Sequence, residues 1–143
     1  MVATLMDSFA MPPCAKLLGW HVIDADPKAG RVKIGFEGKP EFCNPAGFIQ
    51  GGLLSAMLDD AMGPAVLLHT DGAAYTTTIS MNVNFLAPAR VGPLVAEAHV
   101  VQVGKTVAFI EAKLTNAEGA VVATATSTAR VVETAKAIGR TAK

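Results

Sequence analysis

The chain has 143 residues, 51% of them apolar and only 17% charged, and its formal net charge is zero. That length suits one domain with a real core, taken as residues 1–143 with 1–17 and 133–143 peripheral. The neutral balance, without a basic run, argues against nucleic acid as the main partner. The longest apolar run is interrupted by Asp59, Asp60 and Pro64, so no bilayer span is expected. High apolarity in so short a chain predicts instead a buried interface between copies, hence a homo-oligomer. Cys14 and Cys43 form no CxxC pair, and His21, His69 and His99 belong to no HExxH motif, so neither a disulfide framework nor a metal site is expected. With Asp7 near the start and no basic n-region, the expected location is cytoplasmic, without a cleaved signal.

Taken in order, Pro12-Pro13 breaks any early helix and leaves room for a short one over residues 14–18. Trp20, Val22 and Ile23, the turn residues 26–30, and Val32, Ile34 and Phe36 predict a hairpin. A helix starts near Gly51 or Gly52 and is apolar almost all round, which calls for cover on every side. Pro64 cannot donate to the Asp60 carbonyl and predicts a kink or early end at Gly63-Pro64. Ile79, Met81, Val83 and Phe85 alternate with Ser80, Asn82 and Asn84 as a strand with one apolar face. Strands over residues 94–103, 106–114 and 121–132 follow, with Gly104-Lys105 suiting a type II′ hairpin and residues 116–119 the next turn. The expected architecture is a helix wrapped by a curved antiparallel meander with an extra hairpin before it, and a loose tail from Glu133.

The chemistry concentrates in residues 44–68. A helix N-terminus offers unpaired N–H groups and partial positive charge, and Gly51-Gly52 lets a ligand approach the backbone. Such a place can polarise a carbonyl, with Asn44 and Gln50 as neutral neighbours. Asp59 and Asp60 interrupt the apolar helix, and a buried carboxylate is costly unless it is partnered. Asp59 lies roughly 12 Å down the axis from Gly51 by helical rise. One carbonyl cannot easily touch both in one chain, so the spacing predicts a site shared between antiparallel helices of two subunits.

Asn44, Gly47, Gln50-Gly51-Gly52, Asp59, the strand from Thr78 through Phe85 to Pro88-Ala89, Gly92 and Gly104-Lys105 together resemble the hotdog-fold acyl-CoA thioesterases of the phenylacetate-degradation type, over roughly residues 40–132. The resemblance implies an α+β hotdog fold and hydrolysis of an acyl-CoA. Asp59 would be the catalytic acid acting as base or nucleophile, the Gly51 N–H the carbonyl-polarising group, and Asn44 a positioner of substrate or water. Thr78, with Thr77 as the alternative, would orient the water. Gln50 stands where the family usually has His; it can hydrogen-bond but not carry a proton. Gly52, Arg90 and Lys105 are further substrate-binding candidates, the two cations for the phosphates of coenzyme A. No cofactor is implied beyond that substrate, and the expected assembly is a dimer of dimers, without membrane or nucleic acid. The alternatives are a non-catalytic acyl-CoA-binding hotdog protein and a hotdog acyl-thioester hydratase or dehydratase.

Overall fold

The computed structural model describes residues 2–138. A short helix α1 (Pro13–Leu18) starts with Pro at its first position and closes at Gly19, which adopts φ 71°. The hairpin β1 (His21–Asp26) and β2 (Arg31–Gly38) follows. Its turn is closed by Gly30 at φ 68° and by the Asp26 carboxylate, which accepts from the Ala29 N–H.

The helix α2 runs unbroken from Gly51 to His69. The early end expected at Pro64 does not occur. The carbonyl that Pro64 leaves without an intrahelical donor belongs to Asp60, and the indole N–H of Trp20 donates to it at 2.9 Å. A distant residue thus supplies the donor that proline lacks. Replacing Trp20 by Phe should cost about 1–3 kcal/mol, the usual penalty for orphaning a buried acceptor. Urea unfolding followed by circular dichroism measures this, since Trp20 is the only tryptophan. In a Pro64→Ala background, which restores the backbone donor, the cost should shrink.

At 19 residues and a mean hydropathy of 1.2, α2 is by length and composition able to cross a bilayer, contrary to the expectation above. Here it is the core helix, packed against five of the six strands. Leu54, Met57, Leu58, Ala61, Met62, Ala65 and Val66 are fully covered. The sheet's inner face is lined by Ala96, Ala98, Ala108, Ala123, Ala125 and Ala129, whose small side chains let the helix lie close.

The strands β3 (Ala74–Phe85), β4 (Gly92–Val103), β5 (Val107–Thr115) and β6 (Val121–Glu133) complete an antiparallel sheet of order β1-β2-β4-β5-β6-β3. This corrects the simple meander: β3 pairs with β6, and residues 86–91 carry the chain across to β4. Turn residues mark where strands end, but not which neighbour a strand chooses. The β4–β5 connection is also not a type II′ turn. It has three residues, 104–106, the Gly104 N–H donates to the Val107 carbonyl at 2.8 Å, and Gly104 has no positive φ. The Asn116 side chain and Gly119 at φ 82° form the β5–β6 turn as expected. The tail opens with a short helix α3 (Thr134–Ile138) rather than loose chain; residues 139–143 lie outside the described residues.

Candidate active site

The two aspartates sit on the stripe of α2 that the sheet leaves open, with Gly52, Ser55, Ala56, Gly63 and Pro64. Their environments differ. The Thr78 hydroxyl donates to Asp59 Oδ1 at 2.7 Å. Asp60 has a buried Oδ2 without a hydrogen-bond partner. Burial, reinforced by the neighbouring Asp59 carboxylate, pushes Asp60 from an ordinary 3.8 up to about 6.

The Asp60 carboxyl therefore keeps its proton to a higher pH in the folded protein than in the unfolded chain. Between about pH 4 and pH 6 the unfolded chain releases that proton first, so stability falls as pH rises through this window and the loss is complete above it. Asp60→Asn should remove the penalty. Thermal unfolding should show a gain of about 1–2 kcal/mol at pH 8, allowing for solvent screening, and little change at pH 4.

A β-bulge in the edge strand aims Thr78 at Asp59. The β3–β6 register shifts between Thr78 and Ser80, so Ile79 is the extra residue. Thr78 pairs with buried Ala129 and faces the helix, as do Met81, Val83 and Phe85 beyond the bulge, paired with Ser127, Ala125 and Ala123. Even and odd positions therefore share one face, which strict alternation forbids. Thr77 pairs with exposed Arg130 and is turned to the outer face, away from Asp59. Ile79, expected on the apolar face, is 61% exposed.

At the other end of the open stripe, Gln50 is the N-cap residue, with φ −58° and ψ 135°, and its exposed side chain makes no capping bond. Gly51 begins the helix, and its carbonyl accepts from the Ser55 hydroxyl at 2.9 Å. Gly52 is exposed, and a Cβ there would meet nothing within 4 Å. Asn44 uses its side-chain oxygen within its own loop, accepting from the Ala46 and Phe48 N–H groups at 3.0 and 3.1 Å. What it can offer a ligand is its Nδ2 donor. The Arg90 guanidinium lies 5.7 Å from the ring centroid of Phe48, so it stands beside that loop. Lys105 is in the β4–β5 loop, at the end of the sheet where Val107 pairs with Arg130 and Arg130 with Thr77.

The site residues thus fall into two groups within one chain. Asn44, Gln50, Gly51 and Arg90 gather at the start of α2, and Asp59 and Thr78 gather two turns further on. β3, one of the two edge strands of the sheet, passes both groups: its Phe85 lies against Gly51 and its Thr78 bonds to Asp59. Phe85 escaped the sequence reading as a site residue: its place in the alternating apolar row marked it as core, yet it is half exposed and lies against Gly51. Among the described residues no cluster of His, Cys, Asp or Glu could hold a metal ion.

A long helix lying in a curved, six-stranded antiparallel sheet is the hotdog fold. The family model of the Thioesterase superfamily matches residues 46–123, and the chain belongs to that family. Acyl-coenzyme A thioesterase 13 from Homo sapiens is 34% identical over 88 residues, which are 61% of this chain and 62% of that protein, so the match spans less than two thirds of that relative's length. A candidate esterase of Halobacterium salinarum is 37% identical over 126 residues, covering 86% of this chain and 78% of that protein. Among solved structures, a Ralstonia eutropha protein described as a candidate thioesterase related to phenylacetic acid degradation is 34% identical and superposes with a TM-score of 0.81, over 85% of this chain and 92% of that one.

Proposed function

We propose that this protein is an acyl-CoA thioesterase that hydrolyses its substrate to a free acid and coenzyme A at a site built from two subunits. The observation that carries this reading is the bond from Thr78 to Asp59 Oδ1, which fixes a carboxylate on the open stripe of a helix whose first turn also carries the exposed Gly52. The Gly51 N–H polarises the thioester carbonyl. Asp59 of the facing subunit draws a proton from the attacking water, or attacks the carbonyl carbon itself, breaking the C–S bond and expelling the coenzyme A thiolate to leave an anhydride, which water then opens to the free acid and the Asp59 carboxylate, the water's second proton going to the thiolate. In the first route the water oxygen bonds to the carbonyl carbon, the C–S bond breaks, and the leaving thiolate takes the proton from Asp59. Thr78 and Asn44 orient water and substrate, and Gln50 adds a neutral hydrogen bond where a proton carrier is not required. Arg90, near the start of α2, serves the phosphates of coenzyme A, and Lys105 does so from the far end of the sheet. No cofactor takes part. The free Cys14 and Cys43 suit a reducing, cytoplasmic setting.

The sheet edge supports this subunit arrangement. β3 is unpaired on one side and exposes Ile79 and Phe85, with Leu86 just beyond its end, a patch expected of an interface. Phe85 lies beside Gly51 and Thr78 beside Asp59, so β3 runs antiparallel to α2. An antiparallel pairing of two β3 strands centred between Thr78 and Phe85 would set the Asp59 end of one chain against the Gly51 end of the other. Exposed Val101 and Phe109 offer a second apolar contact for a dimer of dimers.

The test is free-thiol release from phenylacetyl-, 4-hydroxybenzoyl-, acetyl-, hexanoyl- and palmitoyl-CoA. Turnover of at least one is expected. Saturable binding without turnover of any would replace the enzyme by a sensor of acyl-CoA.

A further inference from the structure

Gly51 and Phe85 compete for the same space. A Cβ built on Gly51 would stand 3.1 Å from Phe85 Cζ and 3.2 Å from Cε1, so the ring already occupies the volume a side chain there would take. Phe85 is the last residue of β3, held at its backbone by pairing with Ala123. The residue is 53% exposed in the single chain, although it points to the helix side of the sheet. An aromatic ring therefore lies half in solvent, pressed on the residue whose N–H opens the helix.

We infer that Phe85 is a specificity-determining residue, the wall that admits acyl groups unbranched at the carbon next to the thioester carbonyl and disfavours branched ones. This deepens the thioesterase reading and rests on it. A carbonyl oxygen held about 2.9 Å from the Gly51 nitrogen has its α-carbon only two bonds away. That carbon then lies within contact range of a ring that touches Gly51. A methyl branch at the α-carbon has to enter the volume the ring fills, whereas a straight chain or an arylmethylene group can run past it. Other carbons along the chain lie farther off and are not read by this residue.

The experiment compares butyryl-CoA with isobutyryl-CoA, two acyl groups of equal carbon count that differ at the α-carbon. Values of kcat/KM are measured for wild type, Phe85→Ala and Phe85→Leu, with size-exclusion chromatography and circular dichroism as checks on assembly and fold. Wild type should prefer butyryl-CoA. Phe85→Ala should move the preference toward isobutyryl-CoA by about tenfold, the effect of one methyl group in an apolar pocket. Phe85→Leu should move it in the same direction by less. A ratio unchanged in both variants overturns the assignment. If Phe85→Ala loses its fold or its partner, the more conservative Leu variant decides. The same two ligands titrated calorimetrically into Asp59→Asn, with and without Phe85→Ala, read the discrimination as a ratio of Kd values. A shifted Kd ratio, with wild type turning over neither these two ligands nor any acyl-CoA of the panel above, would uphold the wall and reject the thioesterase reading. An unchanged ratio in an active enzyme would do the reverse.

Discussion

Asp59→Asn should lower kcat by about 10²-fold or more, the range of a lost general base, while leaving the protein folded. The substitution is well isolated. The asparagine side-chain oxygen can still accept the bond that Thr78 donates to Asp59 Oδ1, so the link from helix to edge strand survives and only the charge and the proton-accepting capacity are lost. Thr78→Val removes the donor and keeps the shape; it should cost about tenfold, in line with one hydrogen bond to a charged group. Single-turnover thiol release on matched, folded proteins measures both. Wild-type kcat in Asp59→Asn would remove Asp59 from the chemistry.

The second large effect concerns the backbone. Gly51 is the first residue of α2, a position where proline is well tolerated because its N–H has no intrahelical partner. Gln50 before it has φ −58° and ψ 135°, the extended conformation that a following proline requires. Gly51→Pro therefore removes the N–H that would polarise the carbonyl while preserving the helix. Its ring carbon meets Phe85 as any side chain at this position would, so Gly51→Ala is the control: it adds the same Cβ and keeps the N–H. The proline variant should be about 10²-fold slower than the alanine variant, the cost of one oxyanion donor. Equal rates would show that the Gly51 N–H takes no part.

The organising segment was legible because its signals are local. The glycine pair, the apolar run and the acids on one helix can be read without knowing the rest of the fold, and so can the Asn116–Gly119 turn. The early end expected at Pro64 does not occur because its remedy is not local: Trp20 lies 40 residues before the carbonyl it serves. Thr78 was open between two positions because alternation assumes a regular strand, and the bulge at Ile79 moves even and odd residues onto one face. Nor could turn chemistry show that β3 sits at the sheet edge beside β6, although this placement gives the site its opening and Phe85 its exposure. Asp60 was visible as an acid in an apolar helix; its separation from Asp59 in character came only with the partners each one has or lacks.

The central claim is that each site takes Gly51 from one subunit and Asp59 from another, and complementation tests it directly. Asp59→Asn and Gly51→Pro chains are co-expressed with different affinity tags, and mixed dimers are isolated through both. In a mixed dimer one site carries both lesions and the other carries neither, so about half of wild-type thioesterase activity should return. Mixed dimers that stay as inactive as either parent would contradict the shared site and confine the chemistry to one chain.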